Sequence, residues 1–423
     1  MPTAQRPLRV ALVGLGTVGK AVAGLLLDPV RRSGIAARGI VPPELVAVGV
    51  REPGRPRGIG LPAHVRRTDD LLDLVADPTI DVVIEVIGGT DTAGVVVRQA
   101  MAAGKSVVTA NKALLAAKGP SLEVAARSAR VALRFEAAVA GGIPVLSPLV
   151  HDLAANRIDA VRGIVNGTTN HILSAMAQDG RGYADVLAEA QERGYAEADP
   201  SGDVEGHDAA NKLAVLVRLA FGAWPSVDAL RTAAPSVSGD ASPGITGVRT
   251  AELAGAAALG MTIKLVARAE PGPGGSIRAA VTPVAVRTTS PLGATGGVTN
   301  LVEVVAEPVG RIAFRGPGAG GPATASAVIA DLLAIARGEG STWDPLPAAG
   351  WAGAVGDDLD VERAWLLVPG AAESGAAAAA IGEHLLAREG DALVTRPMPL
   401  DLLRRRLAPA GIDVPLYPVI PEA

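Results

Sequence analysis

The sequence predicts an α/β protein whose first third is a doubly wound parallel sheet, followed by an α+β domain and a small C-terminal βα tail. Three observations carry this expectation. A strand-like run, Leu8 to Val13, opens onto a glycine-rich loop and then a helix. Strand-like and helix-like segments alternate as far as about residue 150. Beyond that point come polar, motif-dense helices, then strand-like runs, then a stretch rich in Gly and Pro.

At 423 residues the chain exceeds one ordinary domain. Apolar residues make up 49% and aromatics only 2%, so the core has to be built from Ala, Val, Leu and Ile. The net charge of −4 is spread over both signs without long blocks, which points to neither nucleic acid nor a membrane surface as partner. The absence of cysteine excludes disulfides, thiolate metal sites and a Cys nucleophile. Met1 to Val10 lack a signal-peptide pattern. Apolar stretches are broken by Gly, Arg or Asp short of the ~20 residues a membrane span needs. The expected location is therefore the cytoplasm. Only six lysines occur, so each lysine inside a motif is more noticeable.

The first strand shows no strong alternation, as expected of a strand buried on both faces. Gly14-Leu-Gly16-Thr17-Val18-Gly19 follows it, and Lys20 to Leu27 reads as helix. Gly14 allows the tight turn, Gly16 lets backbone approach a pyrophosphate, and Gly19 permits close helix packing. The helix N-terminus at Thr17 and Val18 supplies amide donors. Alone this pattern is weak; between a strand and a helix it marks a Rossmann-type NAD(P)-binding domain over residues 1–150. Further strands are expected at Leu45 to Val50, Val82 to Val86 and Ser106 to Thr109, with helices at Thr68 to Val75 and Ala93 to Ala103.

The second strand ends at Arg51, and an arginine there can pair with a 2′-phosphate, so NADP is favoured. Arg55 and Arg57 follow, while the adjacent Glu52 leaves NAD open. Ile87-Gly88-Gly89-Thr90 ends a strand and could line a nicotinamide pocket. Thr109-Ala-Asn-Lys112 ends another. Ligands of open α/β sheets sit beyond the carboxyl ends of strands, so Lys112 should point toward the cleft.

Residues 151–315 carry helical segments at His171 to Asp179, Tyr183 to Gly194 and Asp208 to Phe221, then strands at Ile277 to Val286 and Leu301 to Val305. The densest motif runs from Gly194 to Lys212 and includes Glu197, Asp199, Asp203 and Asp208. Asp208 and Lys212 are four apart and share one helix face. A surface ion pair is the plain alternative, and it would be worth little. The surrounding carboxylates and the apolar run Leu213 to Leu219 argue instead for a buried helix end, which is more like a site. Segment 316–338 contains Gly316-Pro-Gly-Ala-Gly-Gly321 and a helix over Ala323 to Arg337. A linker over 339–361 precedes a C-terminal domain at 362–423, with a strand at Ala364 to Val368 and a helix at Ala371 to Ala387.

Taken together, Gly14 to Gly19, Thr109 to Lys112, Asn166-Gly-Thr-Thr-Asn170, Gly194 to Lys212, Gly260-Met-Thr-Ile-Lys-Leu265 and Gly316 to Gly320 with Thr324 to Val328 resemble the homoserine dehydrogenase family. The resemblance is collinear from about residue 8 to 338. It implies reversible NAD(P)H-dependent reduction of L-aspartate 4-semialdehyde to L-homoserine, in threonine and methionine biosynthesis. It makes Lys212 and Lys112 the catalytic lysines. Glu197 and Asp208 would hold the substrate amino group, with Asp203 nearby, and Asn166, Gly167, Thr168 and Thr169 would line the pocket. It also implies a sodium or other monovalent cation at Glu136, Val139, Gly141 and Ile143, a homodimer or higher homo-oligomer built on the catalytic domain, and return of helix 323–337 to the nucleotide domain.

The chemistry suits these residue types. Hydride addition to an aldehyde builds negative charge on oxygen, and an ammonium placed there stabilises that charge and donates the proton. Lys212 is the expected general acid in reduction and base in oxidation, and Lys112 would bridge cofactor and substrate. Many bacterial members of the family end in an ACT domain that senses threonine. Here Ala371-Ala-Glu-Ser-Gly-Ala replaces the expected Pro-Gly-x-Leu turn, so the tail reads either as a degenerate ACT-like module or as a stabilising appendage. Two other readings stay open: another amino-acid or semialdehyde oxidoreductase on the same plan, and a non-catalytic dinucleotide-sensing protein. A phosphorylating semialdehyde dehydrogenase would need the missing Cys.

Overall fold

The computed structural model describes residues 6–349, 355–356, 359 and 361–421. Met1 to Gln5 and part of the expected linker, at 350–354, 357–358 and 360, lie outside the described residues. The chain divides into two compact units, one of Met1–Asn156, Ala214–Trp224 and Gly316–Trp351, the other of Arg157–Leu213, Pro225–Arg315 and Ala352–Ala423.

The first unit begins with β1 (Arg9–Val13), α1 (Thr17–Leu27), β2 (Glu44–Gly49), β3 (Arg66–Thr68) and β4 (Val82–Glu85). It continues through α2 (Asp91–Ala102), β5 (Ser106–Thr109), α3 (Lys112–Ala129) and β6 (Leu133–Arg134). The six strands pair in parallel in the order β3-β2-β1-β4-β5-β6. The direction of winding reverses between β1 and β4, the switch point at which doubly wound sheets bind ligands. The segment expected as helix from Thr68 starts only at Leu71, because Arg66–Thr68 pairs with β2 as an edge strand and Asp70 caps the helix.

In the second unit the chain forms β7 (Arg157–Ile164), α4 (Gly167–Asp179), α5 (His207–Phe221), α6 (Thr250–Ala258), β8 (Met261–Pro271), β9 (Ile277–Arg287), β10 (Thr299–Glu307) and β11 (Gly310–Pro317). The division between units falls inside α5, after Leu213. Then come α7 (Gly321–Ala336) and β12 (Val355–Gly356). The sheet order is β11-β10-β7-β8-β9-β12, antiparallel about β7, β8 and β9, with β12 parallel to β9.

The core of the first unit packs Val10 and Leu12 of β1 and Ile84 of β4 against Val22 and Leu26 of α1 and Val328 and Leu332 of α7. Trp343, within the span expected as linker, is fully buried, with its ring 5.0 Å from Phe135 and 6.4 Å from Trp224.

The tail of the second unit holds β13 (Trp365–Leu367), α8 (Ser374–Ile381), β14 (Leu385–Glu389), β15 (Ala392–Thr395), α9 (Leu400–Leu407) and β16 (Tyr417–Pro418). Its sheet order is β14-β15-β13-β16, all antiparallel, which with the two helices makes a βαββαβ ferredoxin-like unit. The helix expected over Ala371 to Ala387 stops at Ile381. Gly382, at φ 61°, turns the chain, and Leu385–Glu389 becomes a strand. Leu400, Leu403 and Leu407 give α9 one apolar stripe, which is buried against Trp365, Leu367 and Leu393.

Candidate active site

Two clusters of chemistry-bearing residues form, one in each unit. In the first, Gly14 has φ 105°, and a Cβ there would lie 2.8 Å from the Val86 carbonyl oxygen. A Cβ on Gly19 would lie 2.1 Å from the Gly14 carbonyl oxygen, so α1 can start this close to β1 only on glycine. Gly16 meets nothing within 4 Å on its Cβ side, which leaves the open approach that a pyrophosphate needs. Thr17 and Val18 form the first turn of α1. Gly14, Gly16, Arg51, Gly88 and Thr90 line one cleft of about 570 Å³ together with Glu52. These residues fit an extended dinucleotide lying across the switch point.

Thr109 and Lys112 stand at the end of β5, but Thr109 is already engaged. Its hydroxyl donates to Glu85 Oε2 at 2.6 Å and accepts the Asn111 amide at 3.0 Å. Glu85 Oε1 takes the amides of Ile87 and Gly88 at 2.9 and 3.3 Å. Asn111 caps α3 through Leu114 N and donates to the Gly89 carbonyl at 2.7 Å. Lys112 is the first residue of α3, directly after this cap. Glu85 is fully buried, and burial pushes its carboxyl upward against the pull of Thr109 and the two amides. Sequence reasoning missed Glu85, whose only local sign was an acid ending an apolar strand, and included Asn111 in the Thr109 to Lys112 motif without giving it a role.

In the second unit Asn166 is the centre. It caps α4 by accepting Thr169 N at 2.9 Å, and its Nδ2 donates to Asp203 Oδ1 at 2.7 Å and Asp208 Oδ2 at 2.9 Å. Lys212 donates to Asp208 Oδ2 at 2.7 Å and to the Val165 carbonyl at 2.6 Å. An ammonium has three N–H groups, so one has no partner among the described residues. The Thr168 hydroxyl donates to the Tyr195 carbonyl at 2.7 Å, and Gly167 lies under the Val298 carbonyl. Glu197 is exposed. Its backbone carbonyl accepts from Gln191, and its carboxylate has no partner among the described residues. Asn166, Asp203, Asp208 and Lys212 are thus brought together, while Glu197 is not joined to them by a bond.

Around the segment expected to hold a cation, buried Glu136 accepts Val145 N and Leu146 N on Oε1 at 2.7 and 2.8 Å, and Ser147 N on Oε2 at 2.9 Å. Burial raises this carboxyl, and the three amides oppose the rise. Val139, Gly141 and Ile143 belong to a tight turn in which Ala140 and Gly141 have φ 53° and 54°. A left-handed alanine costs on the order of 1–3 kcal/mol and persists only where its surroundings enforce it. Here a Cβ on Gly141 would lie 2.4 Å from the Gly318 carbonyl oxygen, so the backbone is tightly pressed. Among the described residues no group of three His, Cys, Asp or Glu side chains could hold a metal ion. Among the described residues no helix is long and apolar enough to cross a membrane.

A parallel sheet with a glycine loop at its switch point, and a second unit whose helix α5 carries a largely buried acid–lysine pair, are the features of a nicotinamide-dependent oxidoreductase. Two family models match, homoserine dehydrogenase over residues 144–333 and its NAD-binding domain over 14–136. The homoserine dehydrogenase of Mycobacterium tuberculosis is 46% identical over 341 residues, which span 80% of this chain and 74% of that one. The Synechocystis enzyme is 42% identical over 331 residues, 78% and 73% of the two chains. The crystal structure of a homoserine dehydrogenase from Thiobacillus denitrificans superposes with a TM-score of 0.83 at 33% identity, over 98% of both chains. The chain belongs to the homoserine dehydrogenase family. Its activity is that of a homoserine dehydrogenase, acting on small molecules, and the broader oxidoreductase and sensing-protein readings give way to it.

Proposed function

We propose that the Asn166–Asp208–Lys212 cluster is the proton-transfer centre for the interconversion of L-aspartate 4-semialdehyde and L-homoserine. The observation that carries this is the Lys212 ammonium, held by two bonds with its third N–H left over. When bound, the nicotinamide supplies hydride in reduction and accepts it in oxidation. Lys212 donates its remaining proton to the oxygen of the aldehyde as charge develops there, and takes a proton from the homoserine hydroxyl in reverse. Asp208 and Asn166 keep that ammonium aimed, and Thr168 and Thr169 fix the turn that carries Asn166. The free carboxylate of Glu197 receives the substrate ammonium, with Asp203 beside Asp208 adding negative charge. Lys112 is assigned the contact between substrate and cofactor.

NADP is the preferred cofactor in this reading. Arg51 is exposed at the mouth of the cleft, and Glu52, the residue that would favour a free ribose hydroxyl, pairs with Arg55 at 3.4 Å. An archaeal homoserine dehydrogenase, 25% identical with a TM-score of 0.63, is described in complex with NADPH. Glu136 and the carbonyls of Val139, Gly141 and Ile143 would hold sodium or another monovalent cation. The protein is assigned to the cytoplasm as a homodimer, with 1–150, 151–315 and 362–423 as its nucleotide, catalytic and accessory ACT-like domains. The test is nicotinamide absorbance during incubation with L-homoserine, NADP and NAD in parallel. Homoserine-dependent reduction that is faster with NADP supports the reaction and the cofactor preference. Faster reduction with NAD would overturn the cofactor preference, and cofactor binding without turnover would overturn the lysine assignments.

A further inference from the structure

Lys264 lies on β8 and is 3% exposed, yet its Nζ has no carboxylate partner among the described residues. Its three donors go to three neutral acceptors: Asn170 Oδ1 at 2.9 Å, Ser174 Oγ at 3.1 Å and the Thr295 carbonyl at 2.9 Å. Burying a lysine without a counter-charge is costly, and burial lowers its pKa to about 8. What this arrangement provides is position. Asn170 and Ser174 are one turn apart on α4. The Asn170 amide nitrogen is spent on the carbonyls of Gly297 and Thr299 at 2.9 and 3.1 Å, so its oxygen must face Lys264. The same 295–299 segment presses the Val298 carbonyl onto Gly167, the first residue of α4. Lys264 therefore ties the first turn of α4 to the sheet and to the segment lying over it.

The other side of that turn is the acid–lysine cluster. Asn170 N donates to the Asn166 carbonyl at 3.3 Å, closing the turn, and the Asn166 side chain holds Asp203 and Asp208. Asp208 in turn holds Lys212. We propose that Lys264 is a positioning residue for the reaction, setting the Asp208–Lys212 pair through Asn170 and the first turn of α4. The proposal rests on the role given to Lys212 above.

The test compares Lys264→Met, Lys264→Gln, Asn170→Ala and the Lys264→Met/Asn170→Ala double variant in the full chain, with Lys212→Ala assayed beside them. Readouts are kcat and KM for L-homoserine, NADPH affinity by fluorescence titration, and the thermal midpoint. Lys264→Met is expected to lower kcat by roughly tenfold to a hundredfold while NADPH affinity stays within about twofold. Lys264→Gln, which keeps a donor toward Asn170, should recover much of the loss. The double variant should be no slower than the worse single one, because both act through one link. Wild-type kcat in Lys264→Met with only a lowered thermal midpoint would overturn the proposal, as would losses that multiply in the double variant. If Lys264→Met fails to fold, Asn170→Ala decides: it breaks the link while leaving Lys264 bonded to Ser174 and Thr295, and unchanged kcat there would overturn the role. Normal turnover in Lys212→Ala would remove the site assignment itself. Full turnover in Lys264→Met beside a dead Lys212→Ala would remove only the role of Lys264.

Discussion

Asp208 and Lys212, one turn apart on α5, meet at 2.7 Å, and the same Asp208 oxygen also takes the Asn166 amide at 2.9 Å. One carboxylate oxygen therefore serves a lysine from its own helix and a cap residue 42 positions earlier. Lys212 closes the loop by donating to the carbonyl of Val165, the residue before that cap. The end of β7 and the start of α5 are locked into one polar cluster in which side chains of Lys212 and Asp208 are only 10% and 12% exposed. Charge-assisted bonds of this kind are shorter and stronger than neutral ones.

Replacing Lys212 by Ala should lower kcat by about a hundredfold to ten-thousandfold, the usual contribution of a positioned general acid–base group. NADPH affinity should be nearly unchanged, because the bonds Lys212 makes go to Val165 and Asp208 and not to the residues assigned to the cofactor. Steady-state kinetics with L-homoserine, paired with fluorescence titration of NADPH, checks both. Near-normal turnover would refute the assignment.

Arg51→Asp is expected to weaken NADP binding more than NAD binding. A 2′-phosphate loses its cationic partner, while a free ribose hydroxyl gains an acceptor. The Glu52–Arg55 pair is too exposed, at 62% and 64%, to compensate. Comparing the two Kd values by isothermal titration decides it, and equal losses for both cofactors would remove Arg51 from this role.

The glycine loop and the Asp208–Lys212 pair were legible because each is local. Gly14, Gly16 and Gly19 act over six residues, and a four-residue spacing fixes a helix face. Asn166 was legible only as part of a familiar motif. Its work, bonding Asp203 and Asp208 across 37 and 42 residues, has no periodicity to reveal it. Glu85 was missed for the same reason, since its partner Thr109 lies 24 residues away. β7 escaped notice because Arg157, Asp159 and Arg162 interrupt its apolar pattern, although Arg162 pairs across the sheet with buried Glu303. The tail sheet was half-seen because its strands run only two to five residues, too short for alternation to register.

Glu123→Gln should destabilise the first unit by about 3–5 kcal/mol, the cost of leaving one partner of a buried ion pair alone. Glu123 Oε1 and Oε2 take the fully buried Arg218 guanidinium at 2.6 and 2.9 Å, Trp224 Nε1 donates to Oε2 at 3.0 Å, and Arg127 donates twice to Oε1 at 3.0 and 3.1 Å. Burial alone would raise this carboxyl, but Arg218 and Trp224 hold it below its ordinary value. A urea titration followed by tryptophan fluorescence reports on it directly, because Trp224 is part of the network. An unchanged midpoint would mean that Arg218 finds another acceptor, such as the Pro347 carbonyl it already reaches at 2.9 Å.

Lys264 should leave a signature in the alkaline limb of the stability curve. Its folded pKa is about 8 against an ordinary 10.5, and the cause is burial. Between those values the unfolded chain binds a proton at this lysine that the folded chain has released, so the lysine makes stability rise with pH. Below about pH 8 both states are protonated, and the folded state carries the whole burial cost, on the order of 3 kcal/mol. Lys264→Met should therefore show a shallower rise, or a steeper fall, in unfolding free energy between pH 8 and 10.5 than the parent chain. Its absolute stability is a separate matter, since Asn170, Ser174 and Thr295 each lose a donor in the variant. The difference in slope isolates the proton, whereas a vertical offset between the two curves reports the lost bonds. Parallel curves across that window would show that Lys264 stays protonated in the folded chain, held by its three neutral acceptors alone.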